Sequence, residues 1–214
     1  MIGSKALAEF FGTATLLLAV VGSSFMAERL TQDSALALFI NATVTAAVLA
    51  LIIRSGVNLS GAHFNPVVTL TALLLGKIKA LEALVYLIAQ VLGAIFGVIL
   101  ANLMFAEVVF SSSSIQRGGV AQLLGEVIAT TGLVFIAFSA RKKHVWKLIP
   151  LWIFGAYFFT VSTSFANPAV TLARFLTDAP AGIASSSLPG FIAAQLLGAL
   201  LVLAVLRNRE RISR

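Results

Sequence analysis

Six stretches of this chain are long and apolar enough to span a bilayer, and they limit its possible folds more than any other feature. A helix crossing the hydrocarbon core needs about 20 predominantly apolar residues. The stretches fall at 5–27, 35–53, 80–105, 121–140, 146–164 and 189–206. Each is continuous and not alternating, which selects helices over barrel strands. With 59% hydrophobic and 11% charged residues, there is too little polar surface to cover a soluble globule. The sequence predicts an all-α, multi-pass membrane protein in which residues 1–214 form a single domain. Glu9 interrupts the first stretch, and Phe25-Met26-Ala27 offers no small-x-small cleavage site. That stretch therefore reads as a helix of the mature chain and not as a leader.

Two shorter segments lie between the long ones. Asn65-Pro66-Val67 sits between the second and third stretches, and Asn167-Pro168-Ala169 between the fifth and sixth. Each is followed by about ten mostly apolar residues, or about 15 Å of helix, half a bilayer. Asparagine is a favoured N-cap and proline is at home in the first helical turn. Each segment thus reads as a re-entrant half-helix starting at its Asn-Pro, with protein or water around its ends and not lipid.

Charge fixes an orientation. If both termini face the cytoplasm, twelve of the fifteen Lys and Arg residues fall on that side, leaving Arg29, Arg117 and Arg174 outside. This positive-inside bias accounts for the net charge of +7 with no nucleic-acid partner. The basic run from Arg207 to Arg214 reads as a topology determinant touching anionic lipid, and Ser111–Ser114 with Gly118-Gly119 as a flexible outer loop. With no cysteine and only His63 and His144, disulfides, thiol catalysis and a metal cluster are not expected, nor is a cofactor. No nucleophile–base pair suggests an enzyme.

The chain also repeats itself, over roughly 1–105 and 121–206. Glu9 in the first helix answers to Glu126 in the fourth, Asn65-Pro66 to Asn167-Pro168, and Gln90 with Gly93 to Gln195 with Gly198. Three full spans per half is an odd number, so the second half is inserted upside down relative to the first. Inverted repeats of this kind recur in transport proteins. The two half-helices then meet head to head at mid-membrane, each tip carrying about half a positive charge. Ala89, Gly93 and Gly97, like Ala194 and Gly198, are spaced for close helix packing.

The paired Asn-Pro motifs, the Glu-bearing first and fourth helices and Ser60-Gly61-Ala62-His63-Phe64-Asn65-Pro66 resemble the aquaporin, or major intrinsic protein, family over nearly the whole chain. The resemblance implies six transmembrane helices plus two re-entrant half-helices. It also implies a homotetramer in which each protomer has its own pore for water or small neutral solutes. Asn65 and Asn167 would cap their half-helices and also point N–H groups into the pore. Glu9 and Glu126 admit three readings: a proton relay, solute binding, or, the favoured one, acceptors for unpaired backbone N–H groups of the re-entrant loops. His63 reads as a loop-bracing group on the cytoplasmic side of the pore, or as a satisfied buried histidine.

Two departures from the family pattern matter. Val67 replaces the alanine of the first motif. Val170 stands where most relatives carry the arginine of the outer constriction. Ungapped transfer of the other constriction positions gives Thr45, Gly155 and Ser164. Thr, Gly, Ser and Val imply a wider bore without a fixed cation, because a guanidinium there would narrow the passage and repel cations. Arg174, four residues further on, either lines the outer mouth or, the simpler reading, pairs with Asp178. The function expected is a passive channel in a bacterial inner membrane for polyols such as glycerol, metalloid hydroxyacids such as arsenite, and water. A strict water channel and an inverted-repeat secondary transporter are the alternatives.

Overall fold

In the computed structural model, residues 2–212 are described. Arg214 at the end of the basic tail lies outside the described residues, as does the side chain of Arg211. Eight α-helices follow in order: α1 (Ile2–Leu30), α2 (Ser34–Gly56), α3 (Pro66–Leu74), α4 (Ala80–Met104), α5 (Gly119–Ser139), α6 (Val145–Phe159), α7 (Pro168–Arg174) and α8 (Leu188–Ile212). No strand occurs among the described residues. α1, α2, α4, α5 and α8 are each long and apolar enough to cross a membrane. Their outward faces carry large apolar side chains such as Phe11, Leu51, Leu92 and Leu201, as contact with lipid requires. The chain is an integral, multi-pass membrane protein.

The two halves repeat in space. α1 packs on α4 and α5 on α8, while α2 and α6 join the halves. The glycines of the sequence pattern sit where the backbones of paired helices approach closely. A Cβ at Gly93 would lie 2.3 Å from the Phe10 carbonyl oxygen, and one at Gly97 2.2 Å from that of Ala14. In the second half, a Cβ at Gly198 would lie 2.7 Å from the Val127 oxygen. Without a hydrophobic drive between helices in lipid, such backbone approach is what binds them.

Three expectations need correction. The fifth stretch is not helical to residue 164: α6 has 15 residues, about 22 Å. Thr160 turns extended (φ −117°, ψ 137°), its hydroxyl donates to the Ala156 carbonyl at 2.7 Å, and the chain leaves the helix toward the second Asn-Pro. The second half-helix, α7, has seven residues and not about ten, because after Arg174 the chain turns outward (Leu176 N to Ala173 O, 3.0 Å). The serine-rich outer loop is pinned rather than free. Ser113 N donates to Phe175 O (3.0 Å), Ala184 N to Ile115 O (2.7 Å), and Arg117 reaches Gly182 O and Pro180 O at 2.8 and 3.1 Å.

Candidate pore and its constriction

α3 and α7 begin at Asn65 and Asn167, whose side chains cap them as the sequence predicts. Asn65 Oδ1 accepts from Val67 N at 3.0 Å; Asn167 Oδ1 accepts from Ala169 N and Val170 N at 3.0 and 3.4 Å. Each amide nitrogen then crosses to the opposite half. Asn65 Nδ2 donates to Ala166 O and Asn167 Nδ2 to Phe64 O, both at 2.8 Å. The half-helix tips are therefore clasped to one another, and one N–H of each amide remains for the cavity that both asparagines line.

The loops that deliver these tips are wound against their residue types. Ala62 and Phe64 have φ of 53° and 46°, and Ser164 and Ala166 have φ of 53° and 48°. Backbone of this kind, unfavourable for residues with a Cβ, persists only where its surroundings over-determine it. Two buried carboxylates supply that. Glu9 accepts from His63 N (3.0 Å), Phe64 N (2.6 Å), Ser60 Oγ (2.6 Å) and Gln90 Nε2 (2.8 Å). Glu126 accepts from Phe165 N (2.9 Å), Ala166 N (2.8 Å) and Gln195 Nε2 (2.7 Å). The glutamines complete the symmetry, Gln90 Nε2 reaching Thr69 Oγ1 at 2.9 Å and Gln195 Nε2 reaching Thr171 Oγ1 at 2.8 Å. Neither carboxylate is on the cavity wall, and both are fully buried.

The cavity itself measures about 130 Å³. Its wall is apolar along Leu16, Val20, Leu49, Ile53, Leu133 and Ile153, and polar at His63, the two asparagines, Thr45, Ser164, Tyr157 and Arg174. His63 Nδ1 lies 3.0 Å from Thr69 Oγ1, and its ring meets the edge of Tyr86 at 5.4 Å. Val67, with Pro66, Pro168 and Ala169, is buried behind the wall, so the extra volume of Val67 goes into packing and not into the bore.

Residues 2–163 match the family model of the major intrinsic proteins. The chain belongs to that family. Among its curated relatives, Aquaglyceroporin AqpS of Rhizobium meliloti (strain 1021) is 47% identical over 206 residues, covering 95% of this chain and 88% of that protein. A probable TIP-type aquaporin of Medicago truncatula is 34% identical over 161 residues, 69% of this chain and 62% of its own length. The crystal structure of the aquaglyceroporin from Plasmodium falciparum superposes with a TM-score of 0.73 and 17% identity over 95% of both chains, a likeness of fold.

The four expected constriction positions do not all reach this cavity. Thr45, Ser164 and Val170 are on its wall, but Gly155 is not. Gly155 faces the Phe159 ring of its own helix, 3.4 Å from a Cβ built there. Two residues along a helix is a turn of about 200°, and α6 presents Ile153 and Tyr157 to the cavity instead. The Tyr157 hydroxyl donates to Thr45 Oγ1 at 3.3 Å. Arg174 does not pair with Asp178, which accepts from Ser114 N and Oγ at 3.3 and 3.4 Å; it is buried on the cavity wall. Tyr157, Gln90 and Gln195 were all missed as site residues. Only the glutamines left a signal, their matching places in the two repeats.

Proposed function

We propose that the chain is a passive, uncoupled channel for small uncharged polar solutes: polyols such as glycerol, metalloid hydroxyacids such as arsenite, and water. The observation that carries this reading is the pair of clasped asparagine amides, each with a free N–H beside the cavity at the meeting point of two positive helix tips. A passing hydroxyl can turn its oxygen to those donors, while a cation meets the positive ends of both half-helices. Beside Thr45 and Ser164 no guanidinium extends from position 170 to narrow the passage, which favours solutes larger than water. The name of the Rhizobium meliloti relative points the same way.

Glu9 and Glu126 act as braces: their oxygens are occupied by loop N–H groups and glutamines, which leaves a proton-coupled carrier without its relay. Val67 lies in the packing, and His63 with Thr69 steadies the inner loop at the wall. The chain acts without metal or cofactor and is not an enzyme. It assembles as a homotetramer, its lipid-facing helices in a bacterial inner membrane and both termini in the cytoplasm. Swelling of proteoliposomes in water, glycerol, urea and arsenite tests the reading. Glycerol and arsenite flux above that of empty vesicles is expected; water flux alone would leave a strict water channel. Flux that saturates and follows a proton or sodium gradient would replace the channel with a carrier.

A further inference from the structure

Beyond the central cavity lies an outer vestibule of about 340 Å³, lined among others by Glu28, Asp33, Thr163 and Arg117. Among the described residues, Arg174 is common to both linings. Its side chain therefore stands between the two spaces. It is 3% exposed and is held on two sides. Nε donates to the Ala181 carbonyl, and the guanidinium carbon lies 3.4 Å from the centroid of the Phe165 ring. That ring is set edge-on against Phe191 at 5.1 Å, and Arg117 stands 5.1 Å off it. The terminal Nη groups of Arg174 have no hydrogen-bond partner among the described residues. Ser164, adjacent to Phe165 in the chain, is 4% exposed and lines the same cavity. Its hydroxyl is a buried polar atom without a partner, which costs stability unless something from the passage satisfies it.

We propose that Arg174 and Ser164 form a two-point site for a solute oxygen at the outer entrance of the bore. The fixed positive charge absent from position 170 is then supplied one helical turn further out. This rests on the channel reading above and gives it a chemical class: a neutral solute with adjacent hydroxyls, a polyol or an undissociated oxyacid. One oxygen accepts from the guanidinium fork while a second meets the serine hydroxyl. The carboxylates Glu28 and Asp33 offset Arg117 in the vestibule, so Arg174 is the first cationic side chain on the wall of the bore itself.

Proteoliposomes carrying the full chain test this through two readouts, glycerol swelling and potassium leak. Wild-type vesicles are expected to pass glycerol and hold potassium; no glycerol flux would remove the channel reading itself. In Arg174→Met the ratio of glycerol to potassium permeability should fall about tenfold or more, and Arg174→Lys should hold potassium but pass glycerol more slowly, because a point charge lacks the planar fork. Ser164→Ala breaks no protein hydrogen bond, so it should fold normally and lower glycerol flux about threefold, the effect of one lost hydrogen bond. Wild-type permeability ratios in Arg174→Met, or unchanged glycerol flux in Ser164→Ala, would overturn the site while leaving the channel. If Arg174→Met does not insert, the serine variant decides alone.

Discussion

At the scale of single residues, the work of Glu9 and Glu126 is to hold loops in shapes that Ala62, Phe64, Ser164 and Ala166 would not adopt alone. Replacing Glu9 by Gln removes the charge and turns an amide N–H toward a backbone N–H, at a cost of about 2–3 kcal/mol for the stranded donors. Thermal unfolding in detergent should report a lower midpoint for Glu9→Gln, while the protein that survives keeps its solute preference; an altered preference at wild-type stability would make Glu9 a pore group. Val170 is on the cavity wall, so Val170→Arg should lower glycerol flux about tenfold or more while water still passes. Unchanged glycerol swelling in that variant would remove Val170 from the narrow part. Tyr157, on the same wall as Val170, was not legible in the sequence. Counting back from Asn167 without a gap assumes that the helix continues to Ser164, whereas it stops at Phe159 and a different face is turned inward. The pairing of Arg174 with Asp178 failed for a related reason: α7 ends at Arg174, so the helical spacing that would align the two does not exist.

At the scale of elements, the sequence was most readable where periodicity and capping act together. The long apolar runs and both Asn-Pro starts were placed because helix length, N-cap chemistry and proline at the first turn are local properties. The ends of α6 and α7 were not: α6 stops where Thr160 turns extended, and the exit from α7 is held by tertiary bonds that pin the serine-rich loop to residues 175–184. The glycines of α4 were recognisable from their spacing, and their geometry ranks them. A side chain at Gly97 would run into the Ala14 carbonyl oxygen, at 2.2 Å from the Cβ, more severely than one at Gly198 into that of Val127, at 2.7 Å. Backbone cannot move aside as a flexible side chain does, so Gly97→Val should cost about 3 kcal/mol and Gly198→Val less. The fraction of monodisperse protein after extraction should fall in that order; equal yields for both would mean that α1 and α4 can separate without loss.

At the scale of the whole molecule, the inverted repeat brings two helix tips together where neither half could finish the passage by itself. Asn65 bonds the second half and Asn167 the first, so each half holds the other's loop, and the repeat was legible because its Glu, Asn-Pro and Gln residues recur in the same order. Uncoupled passage predicts that flux rises linearly with the glycerol gradient and ignores imposed pH and sodium gradients; saturation coupled to either would argue for a carrier. The most direct test of the central claim is an experimental density map of the protein prepared in glycerol. A file of solute and water oxygens is expected through the cavity, one of them within about 3 Å of both asparagine amide nitrogens. A map in which glycerol occupies some other route, with Asn65 and Asn167 enclosed in dry protein, would contradict it.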